Sequence, residues 1–229
     1  MRFLWILWTF LIGYLLIECL QNKNIEKFVE FIHIPKNAGT TIENIGKKSG
    51  VKWGRFKPEH QNFLNDPICN YWHVPPVYFN KGSFYDTDNT FCVIRDPFSR
   101  IISEYAYRHK DDPNMDNAKN LNAWIREVLT EENVKRGKFD CHLLPQSEYI
   151  YDDVADVYTC DNILRFEHLE ADFNNLMSKE NYDLKLTEKS NKTNFNLRKS
   201  DIDESNVKLI ERLYARDIEL WEKNKNKKT

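Results

Sequence analysis

The sequence predicts an α/β fold in which a parallel sheet is flanked by helices, and two strand–loop–helix units lead to this prediction. In the first unit, an apolar run over residues 28–34 is followed by a helical pattern that begins at Gly39. In the second unit, an apolar run over residues 90–95 precedes Asp96 and Pro97, which suit the cap and the first position of a helix. Strands that alternate with helices are typical of parallel sheets.

The elements that follow continue this alternation. The helix of the second unit is predicted over residues 97–108. Apolar residues at three- and four-residue spacing predict further helices over residues 121–129 and 169–177. Residues 162–166 are typical of a strand, and a last helix is predicted over residues 203–223.

An apolar segment precedes these elements. Residues 3–17 contain no charged side chain, and the run extends to Leu20 with only Glu18 as an interruption. This length is close to the roughly 20 residues that cross a bilayer. Since no small-residue cleavage site follows, the segment predicts an uncleaved transmembrane helix, and a cleaved signal peptide is the alternative.

These observations divide the chain into a signal anchor (1–20), a short connector (21–27), a folded domain (28–223) and a polar tail (224–229). The 229 residues have the length of one domain, and a hydrophobic content of 41% suffices for a core. Lys and Arg total 33 against 35 Asp and Glu, so there is no broad basic surface for nucleic acid. Any anionic ligand must therefore be bound locally.

Four cysteines lie outside the predicted anchor, namely Cys69, Cys92, Cys141 and Cys160. Either secretory interpretation places them in an oxidising compartment, where four thiols allow three pairings. We favour a Cys141–Cys160 bridge, because the two residues flank a polar stretch that a bridge would pin. Cys92 lies in an apolar run, so the alternative to a disulfide at this position is a free cysteine that packs as a small buried side chain. No Cys-x-x-Cys or His-x-x-x-His spacing occurs, so we expect no metal site.

Ligands of parallel sheets bind beyond the carboxyl ends of the strands, which directs attention to the loops after the first two strands. In the first anion loop (residues 35–41), small residues allow backbone N–H groups to approach an oxyanion. Lys36 adds a positive charge, and Thr40 and Thr41 add hydroxyl donors. The alternative is a tight turn with a capping Thr and a solvated Lys.

The second anion loop (residues 95–103) begins with Arg95 at the end of a predicted strand. Arg100 and Ser103 stand three residues apart, on one face of the helix that follows. The alternative is an ion pair between Arg100 and Glu104 with Ser103 exposed.

Taken together, FIHIPKNAGTT at residues 31–41 and VIRDPFSRIIS at residues 93–103 resemble two motifs of sulfotransferases that use 3'-phosphoadenosine 5'-phosphosulfate (PAPS). The likeness is to Golgi carbohydrate sulfotransferases of the heparan sulfate 2-O/6-O type. YWHVPPVYF at residues 71–79 is similar to the segment in which the 2-O enzymes carry a catalytic His. The resemblance implies a P-loop-like sulfotransferase fold and a type II membrane protein of the Golgi lumen. It also implies PAPS as co-substrate without a metal, and a glycan or glycosaminoglycan-like acceptor.

The resemblance also implies roles for individual residues. Lys36 and the first anion loop would hold the 5'-phosphosulfate, while Arg95 and Ser103 would hold the 3'-phosphate. Residues 191–193 precede the last helix, where this family closes over the nucleotide, although Asn191 also begins an N-glycosylation sequon. The predicted cofactor contacts are Lys36, Asn37, Ala38, Gly39, Thr40, Thr41, Arg95, Ser103, Asn191, Lys192 and Thr193.

The acceptor hydroxyl needs a base, and His73 is the first choice because an imidazole titrates near neutral pH and the resemblance points to it. His60 and its neighbour Glu59 are the alternatives. His60, His142 and Gln146 are candidate acceptor contacts, and for His142 and Gln146 the plainer alternative is a turn held by Cys141. His33, on the first strand, is interpreted as structural. Lys36 would neutralise charge on the leaving phosphate.

Two other classes of function stay open. A P-loop kinase or NTPase would need G-x-x-x-x-G-K-[ST], whereas Lys36 here precedes Gly39. A membrane-anchored glycan-binding module that has lost catalysis would keep the fold, but the joint presence of Lys36, Arg95, Ser103 and His73 argues against it.

Overall fold

The structure is a computed structural model. It describes residues 29–65, 69–80, 82–83, 85, 89–187 and 195–227. The predicted anchor, the connector and residues 191–193 lie outside the described residues. Within the described ranges, no helix combines the length and the apolar character needed to cross a membrane.

The described residues form five short strands and seven α-helices. The strands are β1 (Glu30–Ile32), β2 (Thr90–Ile94), β3 (Tyr151–Asp152), β4 (Val157–Tyr158) and β5 (Asn162–Arg165). The helices are α1 (Gly39–Lys48), α2 (Pro97–Arg108), α3 (Ala118–Val128), α4 (Glu131–Lys135), α5 (Leu169–Lys179), α6 (Glu204–Leu213) and α7 (Ala215–Asn224). Short 3-10 helices, among them Pro58–Phe63, Tyr71–His73 and Gln146–Tyr149, fill much of the remaining chain.

The central sheet is parallel, with the strand order β1–β2–β5. Every residue of β1 and β2 is buried, as expected for parallel strands covered on both faces. Phe31 and Phe91 face α1 and α5, where they pack around Trp53. Ile32 and Ile94 point to the opposite face. The predicted α/β architecture is therefore confirmed for the described residues, and β3–β4 adds a small antiparallel hairpin that the sequence did not indicate.

The helix after β2 begins and ends where the sequence predicts, and Asp96 caps it by accepting a hydrogen bond from the backbone N–H of Ser99 at 2.8 Å. The single helix predicted over residues 203–223 is wrong, because α6 and α7 are separated at Tyr214. The backbone of Tyr214 leaves the helical region, and its buried hydroxyl donates to the carbonyl oxygen of Leu143 at 2.8 Å. Tertiary contact thus overrides the apolar periodicity there.

The disulfides differ from the predicted pairing. Cys69 is bonded to Cys141 and Cys92 to Cys160, with Cα–Cα distances of 5.8 and 6.2 Å. The Cys141–Cys160 bridge is therefore wrong, and Cys92 is not simply a small buried side chain. The reason is the sheet: Cys92 lies opposite Ile163 on the neighbouring strand, which brings it close to the chain just before β5.

Asp217 connects α7 to the segment before β3. Its buried carboxylate accepts hydrogen bonds from the backbone N–H groups of Gln146 at 2.8 Å and Ser147 at 2.9 Å. We expect Asp217→Ala to lower the free energy of unfolding by about 3 kcal/mol, because two buried donors lose their acceptor. Urea denaturation measures this. Asp153→Ala, which removes an exposed pair with Arg216, is the control and should cost less than about 1 kcal/mol. Equal losses in the two variants would contradict the prediction.

Candidate active site

The first anion loop leaves β1 and enters α1 through a turn of unusual backbone conformation. Lys36 and Ala38 have φ angles of 69° and 66°, in the left-handed region that residues other than glycine seldom adopt. The buried side chain of Asn37 holds this turn. Its Nδ2 donates to the carbonyl oxygen of Val93 at 2.7 Å and to Oε1 of Gln146 at 2.6 Å. The Asn37 side chain thus faces the interior, which leaves only its backbone for the predicted cofactor contact.

The start of α1 supplies backbone donors. Gly39 and Thr40 are the first two residues of this helix, and the first N–H groups of a helix have no partner within it. Thr40 is half-buried and Thr41 is buried. Gly39 lies against the ring of His33, where a β-carbon would collide with the imidazole. His33 in turn is bonded through Nδ1 to Glu43 at 2.7 Å, an interior position that fits its structural interpretation.

Arg95 joins the two anion loops. Its Nη1 donates to the carbonyl oxygen of Lys36 at 3.1 Å, and its Nε donates to Oγ of Ser99 at 3.0 Å. The guanidinium also lies over the ring of Phe166, 4.1 Å from the centroid. Ser103 is half-buried on α2. The loops that the sequence singled out therefore meet at one edge of the sheet, as parallel strands require.

Arg100 is buried and does not form the ion pair with Glu104 that was the alternative from the sequence. Its Nε donates to the carbonyl oxygen of Pro35 at 3.1 Å, and its Nη2 donates to that of His142 at 2.9 Å. Glu104 is bonded instead to Nδ1 of His142 at 2.7 Å and to Nε of Arg108 at 2.6 Å. The buried guanidinium thus attaches the first anion loop to the segment that carries His142.

Three histidines form a row beside this loop. The ring centroids of His33 and His73 are 4.8 Å apart, and those of His73 and His142 are 5.0 Å apart. Each imidazole has its own carboxylate on Nδ1, and for His73 this is Asp140 at 2.8 Å. The Nδ1 atoms are thus occupied along the whole histidine row (His33, His73 and His142).

His73, at the centre of the row, is neutral near pH 7. Burial lowers the pKa of His73 to about 4, although the hydrogen bond with Asp140 opposes this shift. Burial alone would raise the pKa of Asp140, but hydrogen bonds from His73 and from Asn70 lower it below its usual range. We therefore assign an ionised Asp140 that accepts Nδ1–H of a neutral His73, which leaves the lone pair on Nε2. Glu59, the alternative base, is an exposed residue of the 3-10 helix Pro58–Phe63.

Lys36 lies over an aromatic ring that the sequence did not single out. Its Nζ is 3.8 Å from the centroid of Tyr107, whose ring is half-exposed. Burial lowers the pKa of Lys36 to about 8, and the nearby Glu104 carboxylate limits that shift. At neutral pH the ammonium therefore stays mostly protonated but is close to releasing its proton.

Two predicted acceptor contacts, His60 and Gln146, are buried in the interior. His60 is 1% exposed, packs beside Phe79 and Tyr85, and has a pKa lowered to about 3 by burial. Gln146 is fully buried, and its amide exchanges two hydrogen bonds of 2.9 Å with the backbone of Arg95. We therefore correct both assignments, since burial leaves neither side chain accessible to an acceptor. His142, by contrast, lies next to His73.

The residues that sequence reasoning missed are the partners of the predicted ones. Glu104 stands one residue after Ser103 and four before Arg108, a spacing that indicates a helical ion pair but not a bond to His142. Asp140 is next to Cys141, yet nothing in the sequence places it against His73. Such contacts between distant segments depend on the folded chain.

A nitrogen of His73, a nitrogen of His142 and a carboxylate oxygen of Asp140 lie within 4.8 Å of one another. Such a donor set resembles the ligands of transition metals. The carboxylates of Asp140 and Glu104 already bond the Nδ1 atoms of these histidines, so the arrangement is accounted for by hydrogen bonds alone. The absence of a metal from the reaction stays a prediction.

Comparison of the sequence with known protein families gives a match that covers nearly the whole chain. The sequence model of the sulfotransferase family matches residues 26–224. The matched range includes both anion loops and the histidine row. The comparison with curated proteins found no match, and neither did the comparison with solved structures. The parallel sheet with its flanking helices fits a sulfotransferase fold.

The depressed pKa of Lys36 can be tested without any assay of function. We expect half-maximal labelling of Lys36 by acetic anhydride near pH 8, against the ordinary lysine value of 10.5, because burial disfavours the ammonium. Peptide mass spectrometry across a pH series measures the rates, and Lys208, with 70% of its side chain exposed, is the control. Identical pH profiles for both lysines would show that burial does not shift the Lys36 pKa.

Proposed function

Because the chain belongs to the sulfotransferase family, we propose that it transfers the sulfuryl group of PAPS to a hydroxyl of a carbohydrate acceptor, with His73 as general base. Membership of the family supports the transfer of a sulfuryl group in general. The identities of the sulfate donor, the acceptor and the general base are our proposal. One observation supports it above the others. The His73–Asp140 pair lies next to His142, whose ring is 5.9 Å from the Tyr107 ring that lies under Lys36.

The chemistry of the two anion loops fits the two anionic ends of PAPS. Lys36 and the N–H groups at the start of α1 suit the 5'-phosphosulfate, because a helix N-terminus favours negative charge. Arg95 and Ser103 suit the 3'-phosphate, and the bond from Arg95 to the Lys36 carbonyl fixes one loop relative to the other. The proposed closure of residues 191–193 over the nucleotide stays a prediction.

His73 would take the proton of the attacking hydroxyl at Nε2. A neutral imidazole is required for this step, and burial keeps His73 in that form. The imidazolium that results would be stabilised by the ionised Asp140 on Nδ1. The same bond orients the ring, which is the role of the carboxylate in other His–carboxylate pairs.

Lys36 would act on the leaving side. When PAPS is bound, its sulfuryl group is transferred in line and negative charge grows on the phosphate oxygen that it leaves, by analogy with phosphoryl transfer. A fixed ammonium in a site shielded from water stabilises such charge strongly. With a pKa of about 8, Lys36 would also be able to donate its proton to that oxygen.

The carbohydrate acceptor and the luminal location follow from the motif resemblance and have two structural supports. Trp72 is half-buried, with its ring 5.6 Å from that of His73, so an aromatic surface borders the base. The two disulfides are typical of proteins in an oxidising compartment such as the secretory pathway. We accordingly propose a type II membrane protein whose catalytic domain faces the Golgi lumen.

The base is tested by His73→Ala. We expect turnover to fall about 10²- to 10⁴-fold with little change in donor affinity, because the base acts on the acceptor proton. Transfer of labelled sulfate to a panel of glycans measures this, with His168→Ala, an exposed histidine before α5, as the control. A His73→Ala protein with wild-type turnover would remove His73 from the mechanism.

Donor binding is tested by titration calorimetry with 3'-phosphoadenosine 5'-phosphate. We expect Arg95→Ala to weaken binding about 10- to 100-fold, the loss typical of a charged hydrogen bond. Arg136→Ala is the control, since 78% of that side chain is exposed. ATP with Mg²⁺ should bind poorly. Preference for ATP would favour the kinase alternative, and binding of the bisphosphate without any transfer would favour the inactive glycan-binding module.

A further inference from the structure

We propose that the Cys69–Cys141 disulfide is a positioning element for the catalytic base, which holds Asp140 against His73 and on which turnover depends. This inference rests on the proposed role of His73. The bridge itself would stay outside the reaction and act through Asp140, which is likewise a positioning residue.

The contacts of Asp140 are the first observation. Its carboxylate accepts three hydrogen bonds, from Nδ1 of His73 at 2.8 Å and from the backbone N–H and Nδ2 of Asn70 at 2.6 and 2.7 Å. All three donors belong to the short segment that follows Cys69. Asp140 therefore joins that segment to its own turn and sets the orientation of the imidazole.

The backbone around Asp140 is the second observation. Phe139, Asp140 and Cys141 have φ angles of 64°, 61° and 63°, three successive left-handed residues without a glycine. Residues other than glycine adopt this conformation at a cost, so this turn needs support from its surroundings. The backbone N–H of Cys141 donates to the carbonyl oxygen of Gly137 at 2.7 Å, and the guanidinium of Arg108 covers the Phe139 ring at 3.6 Å.

The bridge adds a covalent support at this point. Cys141 follows Asp140 in the chain and Cys69 precedes Asn70, so the disulfide lies directly beside the hydrogen bonds between these two residues. The bonded cysteines are 72 positions apart in sequence. Among the described residues of 69–80, the only regular structure is in the 3-10 helices Tyr71–His73 and Pro76–Tyr78. The bridge is thus the covalent link between the base and the turn that orients it.

The second disulfide is a matched comparison. Cys92–Cys160 joins β2 to the residue two positions before β5, and hydrogen bonds of the sheet already hold these strands together. Its loss should affect stability rather than the position of His73. The two bridges close loops of similar size, with sequence separations of 72 and 68 residues, so their effects on the unfolded chain are comparable.

The test compares Cys69→Ala/Cys141→Ala with Cys92→Ala/Cys160→Ala in the full-length protein, at a temperature where circular dichroism shows both to be folded. We expect the first variant to lose about 10- to 100-fold in kcat while its affinity for 3'-phosphoadenosine 5'-phosphate stays within about threefold. The second should keep kcat. Wild-type kcat in the first variant, or equal losses in both, would overturn the proposal.

Asp140→Asn provides an independent check. If the bridge acts through Asp140, combining this substitution with Cys69→Ala/Cys141→Ala should lower kcat little further than either change alone, whereas additive losses would overturn the proposal. Reduction of the wild type by dithiothreitol should give the same loss as the double alanine variant. The disulfide then gains two electrons and two protons to become two thiols, while the dithiol becomes a cyclic disulfide.

A spectroscopic readout separates this inference from the proposed function. Nitrogen-15 shifts of His73 should report a single Nδ1–H tautomer in the wild type and a mixture in the Cys69→Ala/Cys141→Ala variant. An unchanged tautomer would overturn the positioning role whatever the activity. If His73→Ala stays active but the tautomer shift is found, the assignment of the base fails while the structural effect of the bridge stands.

Discussion

One buried amide, the side chain of Gln146, is the constraint on which the site depends. Its Oε1 accepts from Asn37 and from the backbone of Arg95, so one oxygen holds both anion loops. Its own backbone N–H is bonded to Asp217 of α7, which extends the connection to the C-terminal helices. Polar groups buried this deeply are costly unless they are hydrogen-bonded, and the three hydrogen bonds of the Gln146 amide make the connection between the loops rigid. The spacing of the two loops is therefore set by the interior of the protein.

Burial also determines the charges at the site. The His73 imidazole and the Lys36 ammonium are largely removed from water, which favours their neutral forms, while the carboxylates of Asp140 and Glu104 respectively oppose the effect. The outcome differs by group: His73 is neutral near pH 7 and Lys36 remains mostly charged. Burial thus produces a neutral imidazole and a weakened ammonium, which are the protonation states that the proposed mechanism requires, from side chains of ordinary intrinsic acidity.

The parts of the molecule that sequence could predict are those that depend on local patterns. Apolar runs and caps indicated β1, β2 and α2, and the anion loops followed from the strand ends that carry Lys36 and Arg95. The disulfide pairing, the break at Tyr214 and the Asp140 contact depend on segments far apart in sequence, where spacing carries no information. Gln146 shows the limit best. The sequence singled it out as an acceptor contact, but whether its amide faced a ligand or the interior depended on the tertiary fold.

Gly39 has a consequence for how substitutions in this site will behave. Glycines in anion loops are usually explained by the close approach of the ligand, but here a side chain would first meet the ring of His33. The His33 ring packs against His73, so a methyl group added at Gly39 would push His33 against His73, the proposed base. Under the proposed function, donor affinity and proton transfer would therefore be mechanically coupled. A change in the loop that impairs both steps would not identify a residue with two chemical roles.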